Sequence, residues 1–120
     1  MYSKGDIIVI NFPFSDLLNA KKRPMLVLAE KGDDIIGCAI TSNPESQGVS
    51  IENFEEGSLP FKSKVKYWQI STFLKSLAVK KIAKISKKNY KHVVDSINDL
   101  IKIWIMIISS TFEDLKNVAS

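Results

Sequence analysis

A chain of 120 residues, 45% hydrophobic and with a net charge of +4, has apolar material for one compact core and predicts a single domain over residues 1–120. One cysteine, Cys38, excludes an intramolecular disulfide, and one histidine, His92, excludes a histidine-rich metal site, so chemistry without metal or cofactor in a reducing cytoplasm is expected. No apolar leader opens the chain, and its longest nearly uncharged run, residues 103–112, falls far short of a membrane span, so no membrane partner is expected.

Asp6–Phe12 is rich in β-branched residues and predicts a buried first strand. Pro13 and the polar stretch from Ser15 to Lys22 break it into a long loop, where Asp16 is either a gate for a ligand or a solvated acid. Lys21-Lys22-Arg23-Pro24 follows, with the only arginine among seventeen basic residues. Guanidinium adds a flat, permanently charged fork that grips a phosphate through two hydrogen bonds; the plain alternative is a solvated surface cation. Met25–Glu30 predicts a second strand, Lys31–Asp34 a tight turn, and Ile35–Thr41 a third strand hairpinned to the second. Cys38 in that strand reads as a small core residue. Ser42–Gly48 is a loop, Val49–Glu52 a short strand, and Asn53–Pro60 a turn-rich connection.

From residue 57 to 94 the chain holds ten lysines and no acid, against a balance of −4 before it and −2 after. Such a block suggests a polyanion-binding face, nucleic acid being the commonest partner; a solvated lysine-rich surface is the alternative. Lys62–Ile70 alternates as a strand, with Lys62, Lys64 and Lys66 on one face and Ser63, Val65 and Tyr67 on the other. Phe61, Tyr67 and Trp68 are stacking faces for bases or core residues, and Trp68 is expected in the core. Leu77–Ile85 predicts a further strand carrying Lys80, Lys81 and Lys84.

From Ser86, a plausible N-cap, apolar residues recur at helical spacing and predict a terminal helix over about 86–108. Its end, Ile103–Ile108, is apolar on every face and implies a subunit or partner contact, unless the tail Thr111–Ser120 folds back over it. His92 lies near the start of this helix and is expected at its surface, not as a catalytic base.

Short strands followed by one helix suggest a mainly β protein with α, a small bent barrel. Gly5-Asp6 before the first strand, Asn11-Phe12-Pro13-Phe14, Lys22-Arg23-Pro24 before Leu26-Val27-Leu28, Ile40-Thr41-Ser42 and Ser63-Lys64-Val65 occur in an order that resembles the MazF/PemK family of toxins, over about residues 5–105. The resemblance implies an SH3-like, CcdB-like barrel that forms a homodimer, cleaves single-stranded RNA without metal as a sequence-selective endoribonuclease, and is neutralised by a cognate antitoxin protein. It carries the family's catalytic pair onto Arg23 and Thr41. The hairpin about Lys31–Asp34 independently brings those two to one end of the sheet. Lys22, Ser42, Lys62, Lys64 and Lys66 are the expected RNA contacts, with Ser42 as an alternative hydroxyl and Lys64 as a candidate base. The family often has a polar or acidic residue and a glutamine before the valine where this chain has Ser63-Lys64, so base preference does not transfer. The related gyrase poisons share the barrel without a nuclease site, so a gyrase-binding toxin and a nucleic-acid-binding barrel without cleavage stand as alternatives.

Overall fold

The computed structural model describes residues 1–12 and 21–119, the side chains of 104, 118 and 119 excepted; the expected break at Pro13 and the loop carrying Asp16 lie outside the described residues. Seven strands are described: β1 (Asp6–Phe12), β2 (Lys21–Lys31), β3 (Asp34–Thr41), β4 (Val49–Ile51), β5 (Phe54–Gly57), β6 (Ser63–Leu74) and β7 (Ala78–Ile85). A single 3₁₀ turn, Lys75–Leu77, joins β6 to β7, and a helix, α1 (Lys87–Ala119), follows. All pairings are antiparallel, in the order β4-β6-β3-β2-β1-β7-β5.

β1 is an unbroken apolar run because both of its faces are covered. Ile7 packs with Leu26, Cys38, Val65 and Val93 in a core shared with α1. Ile8 and Ile10 pack with Met25, Val27 and Ile35 in a second core, against which Tyr2, Phe73 and Leu77 lie. Between β2 and β3 the strands approach so closely that a Cβ on Gly37 would stand 2.4 Å from the Leu26 carbonyl oxygen, so only glycine fits. Gly48, with φ 140°, likewise lets the chain enter β4 where a Cβ would meet the Val65 carbonyl oxygen at 2.6 Å.

Several expected boundaries are corrected. β2 starts at Lys21 and not at Met25, so Lys21–Pro24 belong to the strand, paired with β1, and not to the loop before it. Phe54–Gly57, expected to be turn, is a strand, since β7 supplies an unpaired edge and Glu56 ion-pairs with Lys81 across it. The helix does not stop near residue 108. It runs to Ala119 in the same direction, and the tail beyond Thr111 extends the helix instead of folding back over it. Its start is as expected: the Ser86 hydroxyl oxygen accepts the Asn89 N–H at 3.1 Å, an N-cap bond. No described helix is long and apolar enough to cross a membrane.

Candidate nucleic-acid interface

The β2–β3 ladder ends at Met25 opposite Ala39. Two residues further along each strand stand Arg23 and Thr41, which a continued antiparallel register would set face to face. Pro24 lies past the last β2–β3 pair, while on its other side it stays in register with Val9 of β1. Freed of each other, the two strand ends open into clefts of about 620 Å³ and about 440 Å³, and Arg23, Pro24, Ile40 and Thr41 line both.

Arg23 is exposed; its backbone is paired with Ile10 of β1, and its guanidinium makes no hydrogen bond or ion pair with a described residue. Thr41 is half-buried, and its hydroxyl oxygen accepts the Asn43 N–H at 3.1 Å. That bond occupies a lone pair and leaves the hydroxyl hydrogen to donate. Asn43 in turn accepts the Glu45 N–H through its side-chain oxygen at 3.0 Å, so the turn after β3 is held by its own side chains.

Lys64 completes this scaffold. Its ammonium donates to the carbonyl oxygens of Pro44 at 3.2 Å and Ser46 at 2.8 Å, bracing the loop that orients Thr41. It lines neither cleft, unlike Lys22, Ser42 and Lys66. An ammonium donating two hydrogen bonds has no lone pair to act as a base. Lys66, one pleat further along the same face, lines the larger cleft, while Lys22 and Ser42 line the smaller. Lys62 precedes β6, is exposed and lies outside both.

The sequence pattern missed part of the lining. Cys38 pairs with Ile70 and Ala39 with Lys66, so Tyr67, Trp68 and Gln69 form a bulge on β6 opposite no residue of β3. Bulges re-aim side chains beside sites, and this one brings Gln69 to the larger cleft. Period-two reasoning carries no signal for it. Trp68, expected in the core, is instead 39% exposed and meets Tyr67 edge-on at 5.1 Å between ring centres. Phe61 lines the smaller cleft, and Phe12 and Phe73, 5.5 Å apart, wall the larger.

The other lysines of the positive block have different occupations. Lys81 ion-pairs with Glu56 at 2.6 Å and with the buried Asp6 at 3.4 Å; the Glu56 bond first, and Asp6 after it, hold its pKa above the usual lysine value. Lys84 stands 3.9 Å from Asp6, Lys75 pairs with Glu30, and Lys91 with Asp95 at 2.8 Å. His92 is exposed on α1, away from both clefts. Burial pushes the Cys38 thiol up to about 11, as befits a core residue. No group of three acidic, histidine or cysteine side chains placed to hold a metal occurs among the described residues.

Fold and rim together define a small antiparallel β-barrel with a cation and an alcohol at the mouth of one cleft system. Residues 3–101 match the family described as PemK-like, MazF-like toxin of type II toxin-antitoxin systems, and the chain belongs to that family. Among solved structures, the MazE-MazF complex of Deinococcus radiodurans superposes with a TM-score of 0.69 at 16% identity, covering 84% of this chain and 96% of that one. Mycobacterium tuberculosis toxin MazF-mt6 gives 0.63 at 14% identity, over 81% and 96%. A mycobacterial endoribonuclease in complex with its cognate antitoxin gives 0.65 at 9% identity, over 85% and 96%. These likenesses establish the fold as the barrel expected. No curated protein matches the chain.

Proposed function

We propose that the protein is the toxin of a toxin-antitoxin pair and acts as a metal-independent endoribonuclease on single-stranded RNA. The observation that carries this reading is that Arg23, whose guanidinium has no partner among the described residues, and Thr41, whose hydroxyl is oriented by the Asn43 N–H, line the shared rim of two clefts. Attack of a ribose 2′-oxygen on the adjacent phosphorus forms a P–O2′ bond as the P–O5′ bond breaks. The 2′-proton is lost, the departing 5′-oxygen gains a proton, and a 2′,3′-cyclic phosphate remains. Negative charge grows on the non-bridging oxygens, where a fixed guanidinium and a hydroxyl donor stabilise it more than they stabilise the starting diester.

Lys22 and Lys66 would track the phosphates on either side, and Phe61 and Phe12 offer faces for unpaired bases. A pair of such barrels as a homodimer belongs to the same reading. So does an acidic antitoxin segment lying across the cationic rim and competing with RNA, since two of the similar structures are complexes with their antitoxins.

The test is cleavage of unpaired RNA by purified protein in excess EDTA, with end analysis for cyclic phosphate. Activity should survive the chelator and fall about 10²–10³-fold in Arg23→Ala, the usual effect of removing one transition-state donor. RNA that stays whole at stoichiometric protein overturns the nuclease; salt-dependent binding without cleavage would leave a nucleic-acid-binding barrel, and gyrase inhibition with intact RNA a gyrase-binding toxin.

A further inference from the structure

The helix divides at residue 101, where the family match also ends. Up to that point α1 is bound to the barrel: Val93 is fully buried and Ile97 nearly so. Beyond it every described side chain is exposed. The apolar stripe nevertheless continues without a break. Val93, Ile97, Ile101, Ile105, Ile108, Phe112 and Leu115 follow at spacings of four or three residues, the period of one helix face. Along that single face exposure climbs from 0% at Val93 to 62% at Leu115. The stripe that seats the helix on its own barrel therefore projects about 20 Å past the barrel's edge, at 1.5 Å per residue, with no described residue packed beneath it.

The five large apolar residues of that face beyond the barrel, Ile101, Ile105, Ile108, Phe112 and Leu115, are exposed by 48 to 62%. At roughly 200 Å² for a large side chain, they present ~570 Å² of apolar surface, the top of the range of about 300–600 Å² for the largest such patch on an ordinary monomer. A stable interface takes about 800 Å² from each partner, about 65% of it apolar between identical subunits, so this face supplies the apolar centre of such a contact.

Charge selects the partner. Residues 101–117 carry Lys102, Lys116, Glu113 and Asp114, and between 103 and 112 no charged residue occurs. A neutral apolar surface neither attracts an acidic polypeptide nor repels its own copy, whereas an acidic partner is drawn to the cationic rim of the barrel. A self-complementary patch on a neutral helix closes with two-fold symmetry. We infer that the helical extension beyond residue 101 is a self-association element, which binds the same extension of a second copy of this chain through the Ile101–Ile105–Ile108–Phe112–Leu115 face. The family match ends at residue 101, so the proposed contact surface lies almost wholly outside the matched domain.

The experiment is the solution mass of the full-length protein, by light scattering or sedimentation at tens of micromolar. Wild type should associate, and Ile105→Glu with Ile108→Glu should halve its mass whatever the barrels do, with RNA cleavage unchanged. Because both side chains lie beyond the barrel, its folding is not at stake. Ile105→Ser with Ile108→Ser should act in the same direction without added charge. Met106→Glu places an equal charge on the opposite flank, among Lys102, Ser109 and Glu113, and should leave the mass unaltered. The proposal is overturned by a wild type that remains single chains, by an unaltered mass in the Ile105/Ile108 variants, or by an equal loss in Met106→Glu. Association that appears only on adding an acidic antitoxin polypeptide overturns it as well.

Discussion

The two ends of the sheet use positive charge differently. At the rim between β2 and β3, the Arg23 guanidinium has no described partner and Lys66 and Lys22 face open clefts. Along β7 and the turn before it, Lys75, Lys81 and Lys84 are turned on Glu30, Glu56 and the buried Asp6. Ten lysines without an acid between residues 57 and 94 thus overstate the free charge, because the acids that balance several of them come from elsewhere in the chain. Tertiary pairing, not local composition, decides which cations remain available to a ligand.

The sharpest way to break that contrast is at Arg23 itself. Arg23→Lys keeps the charge and loses the two-pronged fork, so it should lose most of what Arg23→Ala loses, about 10²-fold or more in single-turnover rate. A variant with near wild-type rates would mean that a point charge suffices. Next in size is Lys64→Met. Its ammonium holds the Pro44 and Ser46 carbonyls, so its loss should misplace the turn that orients Thr41. Misplacement of a reacting group costs about ten- to a hundredfold. The loss should fall on kcat with KM nearly constant, whereas a lysine that merely bound RNA would raise KM.

A smaller effect separates the two ends by salt. Lys66→Met should flatten the dependence of RNA affinity on salt by about 0.7, the slope of one phosphate contact on a single strand. Lys81→Met should leave that slope intact and lower the thermal midpoint, since Asp6 is buried and loses a close cation. Equal slopes for both variants would erase the distinction drawn between the two groups.

How much of this was written in the sequence differs by element. β1 was legible to the residue because β-branching and burial on both faces agree there. The meeting of Arg23 with Thr41 was legible because a hairpin brings its two outer ends together whatever surrounds it. The bulge at Tyr67–Gln69 was not, since it depends on where β3 and β6 slip in register and neither strand's own pattern records that. β5 was hidden for a related reason: Phe54–Gly57 has little intrinsic strand character and is held by the edge of β7 and the Glu56–Lys81 pair. The bracing role of Lys64 was invisible too, because a lysine at a strand surface looks the same whether it faces solvent, RNA or a loop carbonyl.

The smallest prediction concerns Glu30 and Lys75, at the end of the sheet away from the clefts. The Lys75 ammonium, chiefly by hydrogen bonding, holds the Glu30 carboxyl below its ordinary value of 4.5, helped by the Tyr2 N–H at 3.0 Å. Glu30 in turn holds Lys75 above 10.5. A lowered carboxyl stabilises the fold above its unfolded value and loses that contribution as pH falls through the folded one. The raised ammonium contributes below 10.5 and loses its share as pH climbs past its folded value. The difference in thermal midpoint between wild type and Glu30→Gln should therefore be constant across neutral pH, shrink below 4.5 and shrink again above 10.5. The Glu30 side chain is only 12% exposed but that of Lys75 is 40% exposed, and solvent at the ammonium keeps the difference small and salt-sensitive. A difference that persisted unchanged into strong acid would assign the effect of the substitution to packing and remove the ion pair from the account.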